Sequence, residues 1–455
     1  MKPKMNDRLA LRQNWPEPEY KDIILRRIRK CNARVLVVGA GYVGLPLACR
    51  CAASGHRTTV LDPDTKKVES IRRGESYISD ISSGVLEFLV NTEPEKGTGH
   101  NLKAVSKWSD APCPDVAIIC VPTPLNKAKE PDISIVMDVV DRLPDTWPCG
   151  WNPLVVLEST IYPGFTREMV HDRLRVPTAF SPERVDPGNR KYGIRNTPKL
   201  VGGVDAVSSL LANEFYRTIV NEVVPVSSCE VAEMTKVFEN TFRMVNIGLV
   251  NEAALMCRAL GIDSNEMIDA AATKPFGFMP FRPGPGAGGN CVPLDPHYLA
   301  WKLRTVKYHS RFISLADQVN SSMPRHVVDL IVRALNKNEK SVKNSKVLID
   351  GVSYKPGVGD LSESPALDII EILCSEYSAD VWYFDPFVDS MTLSSGRGIP
   401  RITKMPEPGE FDCLVIATNH PNVDHGELCR LAGAVVDTRN VTKDFRKDIS
   451  NIEVL

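Results

Sequence analysis

The chain of 455 residues is long enough for two or three domains with large cores, which excludes a peptide-sized or disulfide-stapled fold. Its 55 Lys and Arg residues nearly balance its 56 Asp and Glu residues, so the net charge of −1 gives no general attraction to nucleic acid or acidic membranes. The apolar runs fall far short of the ~20 residues that a membrane-spanning helix needs, and no secretory signal is visible. We therefore predict a cytoplasmic protein that binds neither nucleic acid nor membrane.

Residues 1–30 form an N-terminal extension, in which the apolar positions from Tyr20 to Arg29 predict one short amphipathic helix. From Ala33 onward, short aliphatic runs alternate with helical segments, which indicates a parallel α/β sheet. The strands are predicted at Val35–Val38, Thr58–Leu61, Val116–Val121, Leu154–Leu157 and Pro177–Phe180.

A single long helix is predicted from Ser228 to Leu260, because apolar residues recur three or four apart with no proline and one glycine. A second strand-rich block follows at 346–349, 380–384, 412–416 and 434–436. We predict two Rossmann-like parallel-sheet domains joined by a long central helix and a helical middle domain. The predicted boundaries are 1–30 for the extension, 31–226 for the first domain, 227–330 for the middle domain and 331–455 for the last.

Gly39, Gly41 and Gly44 form a GxGxxG pattern that follows a predicted strand and opens a predicted helix. The first glycine permits a tight turn, the second lets the backbone approach a pyrophosphate, and the third allows close helix packing. Asp62 ends the next strand, where a carboxylate accepts from a ribose 2′-hydroxyl and repels a 2′-phosphate, so NAD is favoured over NADP. Lys67 is either a solvated side chain or a contact to the cofactor.

Cys291 lies near the end of a Pro- and Gly-rich loop, 283–296. A lone cysteine is commonly a buried apolar side chain, but such a loop brings backbone close to a ligand and positions the thiol. With a nicotinamide cofactor, a nucleophilic thiol implies a thiohemiacetal on an aldehyde, which hydride loss turns into a thioester that water hydrolyses. The twelve cysteines lack the spacing of a metal site, so no metal ligand is assigned.

Lys236 and Asn240 fall at i and i+4 on one face of the long helix, and Glu183 lies in a loop after a predicted strand. Taken alone, each is typical of a solvated surface. Several motifs in order over residues 33–442 change that interpretation, since together they resemble the UDP-glucose/GDP-mannose dehydrogenase family of nucleotide-sugar 6-dehydrogenases. The matching stretches are 120–125 with 131–132, 158–164, 181–188, 232–240, the Cys291 loop and 351–355.

The resemblance implies that two hydride transfers to NAD oxidise the C6 alcohol of a UDP-sugar to a carboxylate, with water supplying the new oxygen. It is closest to the branch acting on UDP-N-acetylglucosamine, and UDP-glucose and UDP-N-acetylmannosamine remain alternative substrates. The first domain would bind NAD and the last the UDP-sugar, in a homodimer formed through the central helix. A part in polysaccharide biosynthesis is also implied.

The same resemblance implies roles for individual residues. Cys291 resembles the nucleophile, Lys236 and Asn240 the groups that stabilise the oxyanion, and Glu183 the general base of thioester hydrolysis. Asp295 resembles the carboxylate that orders the catalytic water together with Thr123. The predicted cofactor-binding residues are Gly39, Gly41, Tyr42, Val43, Gly44, Asp62, Lys67, Thr123 and Glu158. The predicted substrate-binding residues are Glu183, Arg184, Lys236, Asn240, Arg282, Gly288, Lys355 and Arg439.

Three positions depart from the family pattern. Ser362 stands where the family has an arginine that helps to hold the cofactor, which predicts weaker NAD binding or a substitute cation. Arg282 replaces a tyrosine and is either a contact to the substrate diphosphate or a surface residue, and Asn290 replaces a histidine before the nucleophile. Two other functions stay open: a catalytically weakened UDP-sugar-binding protein, and a two-electron alcohol or 3-hydroxyacid dehydrogenase that needs no cysteine.

Overall fold

The computed structural model describes residues 17–78, 81–91, 101–126, 128–148, 150–186, 189 and 191–455, without the side chains of 17–19 and 101. The chain divides into two compact units, Met1–Phe238 and Glu239–Leu455, and the boundary between them falls inside one long helix. Within the described ranges, no helix is long and apolar enough to cross a bilayer.

The first unit alternates strands with helices, as predicted. Its strands are β1 (Arg34–Val38), β2 (Arg57–Leu61), β3 (Asn101–Val105), β4 (Val116–Ile119), β5 (Leu154–Leu157), β6 (Thr178–Phe180), β7 (Lys199–Gly203) and β8 (Val223–Pro225). Its α-helices are α1 (Glu17–Arg29), α2 (Gly44–Ala53), α3 (Thr65–Arg72), α4 (Ser83–Asn91), α5 (Ser134–Arg142) and α6 (Ala206–Arg217). A π-helix, Thr166–His171, runs into a short α-helical turn, Asp172–Leu174, and 3-10 turns lie at Trp108–Asp110 and Leu143–Thr146.

The strands of the first unit form one sheet in the order β3-β2-β1-β4-β5-β6-β7-β8. Neighbouring strands run parallel, except that β6 and β7 are antiparallel. A parallel sheet is covered on both faces, which explains why β1, β4 and β5 are continuous aliphatic runs. Because the chain order reverses between β1 and β4, the loops after these strands border the crevice where such sheets bind ligands.

The N-terminal helix α1 is docked on the first unit, which confirms the predicted amphipathic helix; residues 1–16 lie outside the described part. Ile24 and Ile28 of α1 are fully buried in the core of this unit. Arg27 Nη1 and Arg34 Nη2 both donate to Asp115 Oδ1, at 2.6 and 2.7 Å. Since the Asp115 side chain is wholly buried, the two guanidinium groups stabilise a charge that would otherwise be costly.

The long helix α7 (Cys229–Leu260) confirms the prediction for 228–260 almost to the residue. After it come α8 (Ser264–Ala272), α9 (Asp295–Thr305), α10 (Arg311–Lys337), α11 (Pro365–Ser375) and α12 (His425–Leu431), with a 3-10 turn at Arg446–Asp448. The strands are β9 (Lys346–Asp350), β10 (Asp380–Phe384), β11 (Cys413–Ile416), β12 (Val435–Asp437) and β13 (Ile452–Val454).

The second unit contains a parallel sheet in the order β10-β9-β11-β12-β13. Successive side chains of a strand point to opposite faces, and β11 shows the result. Cys413 and Val415 pack in the core on one face of the sheet, whereas Leu414 and Ile416 pack in the core on the other. The predicted α/β class is confirmed.

Candidate functional site

The glycine-rich loop between β1 and α2 leaves room for a ligand at one glycine only. Gly39 has a φ of +103°, and a Cβ there would lie 2.5 Å from the carbonyl oxygen of Cys120. A Cβ on Gly44 would lie 1.9 Å from the carbonyl oxygen of Gly39, so both residues are required by packing. A Cβ on Gly41 would meet no described atom within 4 Å. This open space beside the N-terminus of α2 fits the pyrophosphate of a dinucleotide.

Asp62 follows β2, and its carboxylate accepts a hydrogen bond from the glycine-rich loop. Its Oδ2 accepts from the Ala40 N–H at 2.7 Å, and its Oδ1 accepts from the Asp64 N–H at 2.9 Å. Lys67 Nζ lies 3.9 Å from Oδ2, and 38% of the Lys67 side chain is exposed. A carboxylate has about four acceptor positions, so Asp62 keeps capacity for a ribose hydroxyl.

Three other residues predicted to contact the cofactor lie in loops of the first unit. Tyr42 is exposed and Val43 half-buried, directly before α2. Thr123 is half-buried in the loop after β4, where the hydroxyl of Ser159 donates to the carbonyl oxygen of Val121 at 2.7 Å. That bond ties the loop after β4 to the loop after β5.

Glu158 directly follows β5, and its side chain has no exposed surface. The carboxylate accepts from Lys199 Nζ at 2.8 Å and from the hydroxyl of Tyr216. Burial raises the pKa of Glu158, although the Lys199 ammonium opposes that shift. The structure therefore does not bring the Glu158 carboxylate to a surface where a cofactor could meet it.

Glu183 lies in the loop after β6, and its two carboxylate oxygens have different surroundings. Oε1 accepts from the backbone N–H groups of Arg184 and Val185, at 2.7 and 2.6 Å. Oε2 is buried and has no hydrogen-bond partner among the described residues. Lys236, from the first turns of α7, donates its Nζ to the Glu183 carbonyl oxygen at 2.8 Å, and Arg184 Nη1 donates to the Pro198 carbonyl oxygen at 2.9 Å. The first unit thus brings the predicted base and the predicted oxyanion-stabilising lysine together.

Cys291 is the exposed residue among the cysteines that the structure describes; the others are buried or half-buried. Its carbonyl oxygen accepts from the Asp295 N–H at 2.9 Å, which fixes the thiol-bearing residue at the start of α9. Asn240 Nδ2 donates to Asp295 Oδ2 at 2.5 Å, and both side chains are buried. The second unit therefore brings Cys291, Asp295 and Asn240 together, as the resemblance implies.

The predicted substrate residues Gly288, Lys355 and Arg439 also lie in the second unit. A Cβ on Gly288 would lie 2.8 Å from the Cβ of Tyr354, the residue before Lys355. A Cβ on Gly284, in the same loop, would lie 2.4 Å from Arg439 Nη1. Burial lowers the pKa of Arg439 to about 10. A guanidinium this poorly solvated beside glycine backbone suits a phosphate or diphosphate ligand.

Two of the positions that depart from the family pattern contact each other. Asn290 Nδ2 donates to Ser362 Oγ at 3.0 Å, and Ser362 Oγ donates to Asp360 Oδ1 at 2.6 Å. The Gly289 N–H donates to the Ser362 carbonyl oxygen at 2.9 Å. Ser362 thus fastens the residues that precede Cys291, a role for which the sequence carries no visible signal.

Arg282 is engaged elsewhere in the second unit. Its guanidinium forms an ion pair with Asp269 and donates from Nη1 to the Asn265 carbonyl oxygen at 3.4 Å. Lys443 pairs with the same carboxylate at 2.8 Å. This arrangement favours the surface interpretation of Arg282 over a contact with the substrate diphosphate.

Sequence reasoning missed two polar residues that support the site. Lys199 is the buried cation beside Glu158. Its place at the start of a strand is the only feature of the sequence that could have indicated it. Asn251 is fully buried, and its Oδ1 accepts from the Gly284 N–H at 2.9 Å. An asparagine at a position where the periodicity of α7 predicts a buried side chain is the signal in the sequence that points to Asn251.

Models of one family cover most of the chain in three consecutive segments. Residues 33–220 match the NAD binding domain of the UDP-glucose/GDP-mannose dehydrogenase family, residues 230–322 match its central domain, and residues 348–444 match its UDP binding domain.

Individual relatives agree with these matches. A UDP-N-acetyl-D-glucosamine 6-dehydrogenase of Pseudomonas aeruginosa is 33% identical over 402 residues, covering 86% of this chain and 91% of that protein. A UDP-N-acetyl-D-mannosamine dehydrogenase of Methanococcus maripaludis is 32% identical over 421 residues, covering 90% and 93%. The solved structure of a UDP-D-ManNAc dehydrogenase from Pyrococcus horikoshii has a TM-score of 0.81 at 30% identity and covers 92% of this chain and 98% of its own. On this likeness the chain belongs to the UDP-glucose/GDP-mannose dehydrogenase family of NAD-dependent UDP-sugar dehydrogenases.

Proposed function

We propose that this protein oxidises the C6 hydroxymethyl group of UDP-N-acetylglucosamine to a carboxylate, in a four-electron reaction. The observation that carries the proposal is the placement of Cys291: an exposed thiol in a glycine-rich loop, tied by its carbonyl oxygen to α9. A two-electron dehydrogenase has no use for a nucleophile at this point, whereas oxidation past the aldehyde needs one.

NAD, when bound, would supply the hydride acceptor for both oxidation steps. Cys291 adds to the aldehyde as a thiolate, and loss of the second hydride leaves the sugar bound through a thioester. A lysine ammonium has three N–H donors, and Lys236 directs one of them to the Glu183 carbonyl oxygen, which supports its role in stabilising an oxyanion. Asn240 and Asp295, held together at 2.5 Å, support the oxyanion and order water together with Thr123.

Glu183 suits the general base of thioester hydrolysis because its two oxygens are unequal. Oε1 is saturated by two backbone N–H groups, which orient the carboxylate. Oε2 has no hydrogen-bond partner among the described residues and can take a proton from water. For the ligand-binding residues, we propose the glycine loop and Asp62 for NAD, and Gly288, Lys355 and Arg439 for the UDP-sugar.

UDP-N-acetylmannosamine is the second candidate substrate. Relatives such as that of Methanococcus maripaludis are named UDP-N-acetyl-D-mannosamine dehydrogenases, which favours this substrate. The likeness to the Pyrococcus horikoshii structure favours it as well. We rank UDP-N-acetylglucosamine first because the relatives from Salmonella typhi and Pseudomonas aeruginosa, at 32% and 33% identity, are UDP-N-acetyl-D-glucosamine 6-dehydrogenases.

We also propose that the protein works as a homodimer in the cytoplasm. The helix α7 carries an exposed apolar stripe, Phe238, Phe242, Leu249 and Met256, at spacings that place these residues on one face. A second copy of this chain is the proposed occupant of that stripe.

The test is to count NADH with purified protein and excess NAD, offering UDP-N-acetylglucosamine, UDP-N-acetylmannosamine and UDP-glucose in parallel. We expect two NADH for each UDP-N-acetylglucosamine consumed. One NADH per sugar would reject the four-electron reaction in favour of a two-electron dehydrogenase. No NADH, together with measurable UDP-sugar binding, would support the weakened-binding alternative and make Ser362→Arg the next variant to assay.

A further inference from the structure

The first unit holds a buried cation that the proposed mechanism does not use. Lys199 begins β7, and only 6% of its side chain is exposed. Its Nζ donates to Glu158 Oε2 at 2.8 Å and to the Pro182 carbonyl oxygen at 3.1 Å. Lysine is almost never buried to this degree unless it is paired, so the position of this ammonium is specified by its partners.

The ammonium of Lys199 also faces the proposed base. Its Nζ lies 3.7 Å from Glu183 Oε2, the buried oxygen that has no hydrogen-bond partner among the described residues. Glu183 Oε1 is fixed by two backbone N–H groups. Backbone donors therefore hold one side of the carboxylate, and the charge of Lys199 attracts the other.

The bond to Glu158 keeps Lys199 from occupying that oxygen. Glu158 accepts from Lys199 on one oxygen and from the hydroxyl of Tyr216 on the other, so the cation is drawn toward Glu158. Burial keeps the pKa of Tyr216 well above its usual range, which leaves its hydroxyl as a donor. Lys199 thus acts on Glu183 by charge at 3.7 Å, and the lone pairs of Oε2 stay available for a proton from water.

We propose that Lys199 is a positioning residue for thioester hydrolysis, an inference that rests on the function proposed above. In that step the oxygen of water bonds to the acyl carbon of the Cys291 thioester and one water proton passes to Glu183 Oε2. The carbon–sulfur bond then breaks with its electron pair on sulfur, which takes up the proton from Glu183. The sum is thioester plus water giving carboxylic acid plus thiol.

The experiment removes the cation without leaving an unpaired buried charge. Lys199→Met alone would leave the buried Glu158 carboxylate without a counter-charge, so the main variant combines Lys199→Met with Glu158→Gln. Lys199→Gln combined with Glu158→Gln, which keeps a hydrogen-bond donor beside position 158 and removes both charges, is the second variant. Tyr216→Phe is the matched control, because it alters the same cluster without facing Glu183. Circular dichroism checks that each variant is folded.

Each protein is mixed rapidly with saturating NAD and with the UDP-sugar that the unchanged protein oxidises. In both Lys199 variants we expect a burst of two NADH per chain, followed by turnover about 10- to 100-fold slower than normal, since a general base contributes on the order of 10²–10⁴-fold. Acid quenching and mass measurement should find the acylated Cys291. The Tyr216→Phe variant should show no burst.

The outcomes separate this inference from the function on which it rests. Slow turnover without a burst or an acylated cysteine in a folded Lys199 variant would overturn the positioning role, as would normal turnover. Failure of the unchanged protein to form two NADH per sugar would instead reject the proposed function, whatever the variants do.

Discussion

At the scale of single residues, the thiol of Cys291 carries the four-electron proposal. Replacement of Cys291 by serine is expected to lower the formation of two NADH per sugar by more than about 10³-fold, because a nucleophile and its partners act as a unit. Binding of the UDP-sugar, followed by calorimetry, should change little. Cys374→Ser, at a half-buried cysteine of the same unit, is the control. Retained activity in the Cys291 variant would favour the two-electron alternative.

The fully buried His56 gives a prediction of pH dependence. The hydroxyl of Thr218 donates to the Phe215 carbonyl oxygen at 2.6 Å, so His56 Nε2, 2.8 Å from that hydroxyl, must donate its proton. His56 Nδ1 has no partner among the described residues. A proton added there would lie in the core without an acceptor, and burial accordingly lowers the pKa of His56 to about 4.

A folded-state pKa below the unfolded value of about 6.5 gives stability that is present above pH 6.5 and lost as the pH falls toward 4. Between pH 7.5 and 4.5 we expect the wild type to lose about 2–3 kcal/mol more unfolding free energy than His56→Gln, which cannot be protonated. Urea unfolding of both proteins at the two pH values measures the difference. Equal losses would show that His56 does not titrate in this range.

At the scale of elements, we expect two glycines of the loop between β1 and α2 to have different roles, one in packing and the other in NAD binding. Gly44→Ala should destabilise the first unit by about 1–3 kcal/mol or more, because its Cβ would overlap the Gly39 carbonyl oxygen. Gly41→Ala should leave the unfolding free energy within about 0.5 kcal/mol, since its Cβ meets no described atom within 4 Å, yet raise the Kd for NAD by about tenfold.

Thermal unfolding and NAD titration of the two variants form a matched pair. Normal NAD affinity in the Gly41 variant would mean that the pyrophosphate does not approach this backbone. A stable Gly44 variant would mean that α2 can shift away from β1, contrary to the close packing described above.

The sequence predicts most strands from runs of apolar or β-branched residues, but it misses some of them. β5 and β10 have the predicted bounds, whereas β4 ends at Ile119 although the apolar run continues to Val121. Beyond Ile119 the chain leaves the ladder to form a loop, which apolar character alone does not reveal. β3 (Asn101–Val105) and β7 (Lys199–Gly203) were missed because Asn, Lys and Gly weaken the strand pattern.

The residues of the candidate site also differ in how well the sequence predicts them. The Pro- and Gly-rich loop is enough to single out Cys291, and the resemblance to the family adds Asp295, four residues further on. The ion pair between Lys199 and Glu158 joins residues 41 positions apart, and neither stretch of sequence indicates that the other lies beside it. Contacts of this kind depend on the packing of strands, which residue types alone do not specify.

At the scale of the whole molecule, the proposed dimer depends on the apolar stripe of α7. Phe238 and Leu249 are 57% and 59% exposed. Phe238→Asp should raise the dimer dissociation constant by at least about 100-fold, since burial of a phenylalanine contributes about 1.5–3 kcal/mol and a buried charge adds to the loss. Sedimentation equilibrium near micromolar concentration measures this change.

Met405→Asp, at an exposed apolar residue outside α7, is the control and should leave the assembly unchanged. A wild-type chain that is monomeric in the same experiment, or a Phe238→Asp variant that stays dimeric, would reject α7 as the interface.

The position of β1 within its sheet has a consequence for synthesis on the ribosome. Among the strands that the structure describes, β1 is the first to be made, yet it lies between β2 and β4, and Val35 aligns with Val116. At about 5–20 residues per second, the last of these neighbours is translated several seconds after β1. During that interval the aliphatic run Val35–Val38 has one of its two partners at most, so the nascent chain must be shielded from aggregation before its first sheet can close.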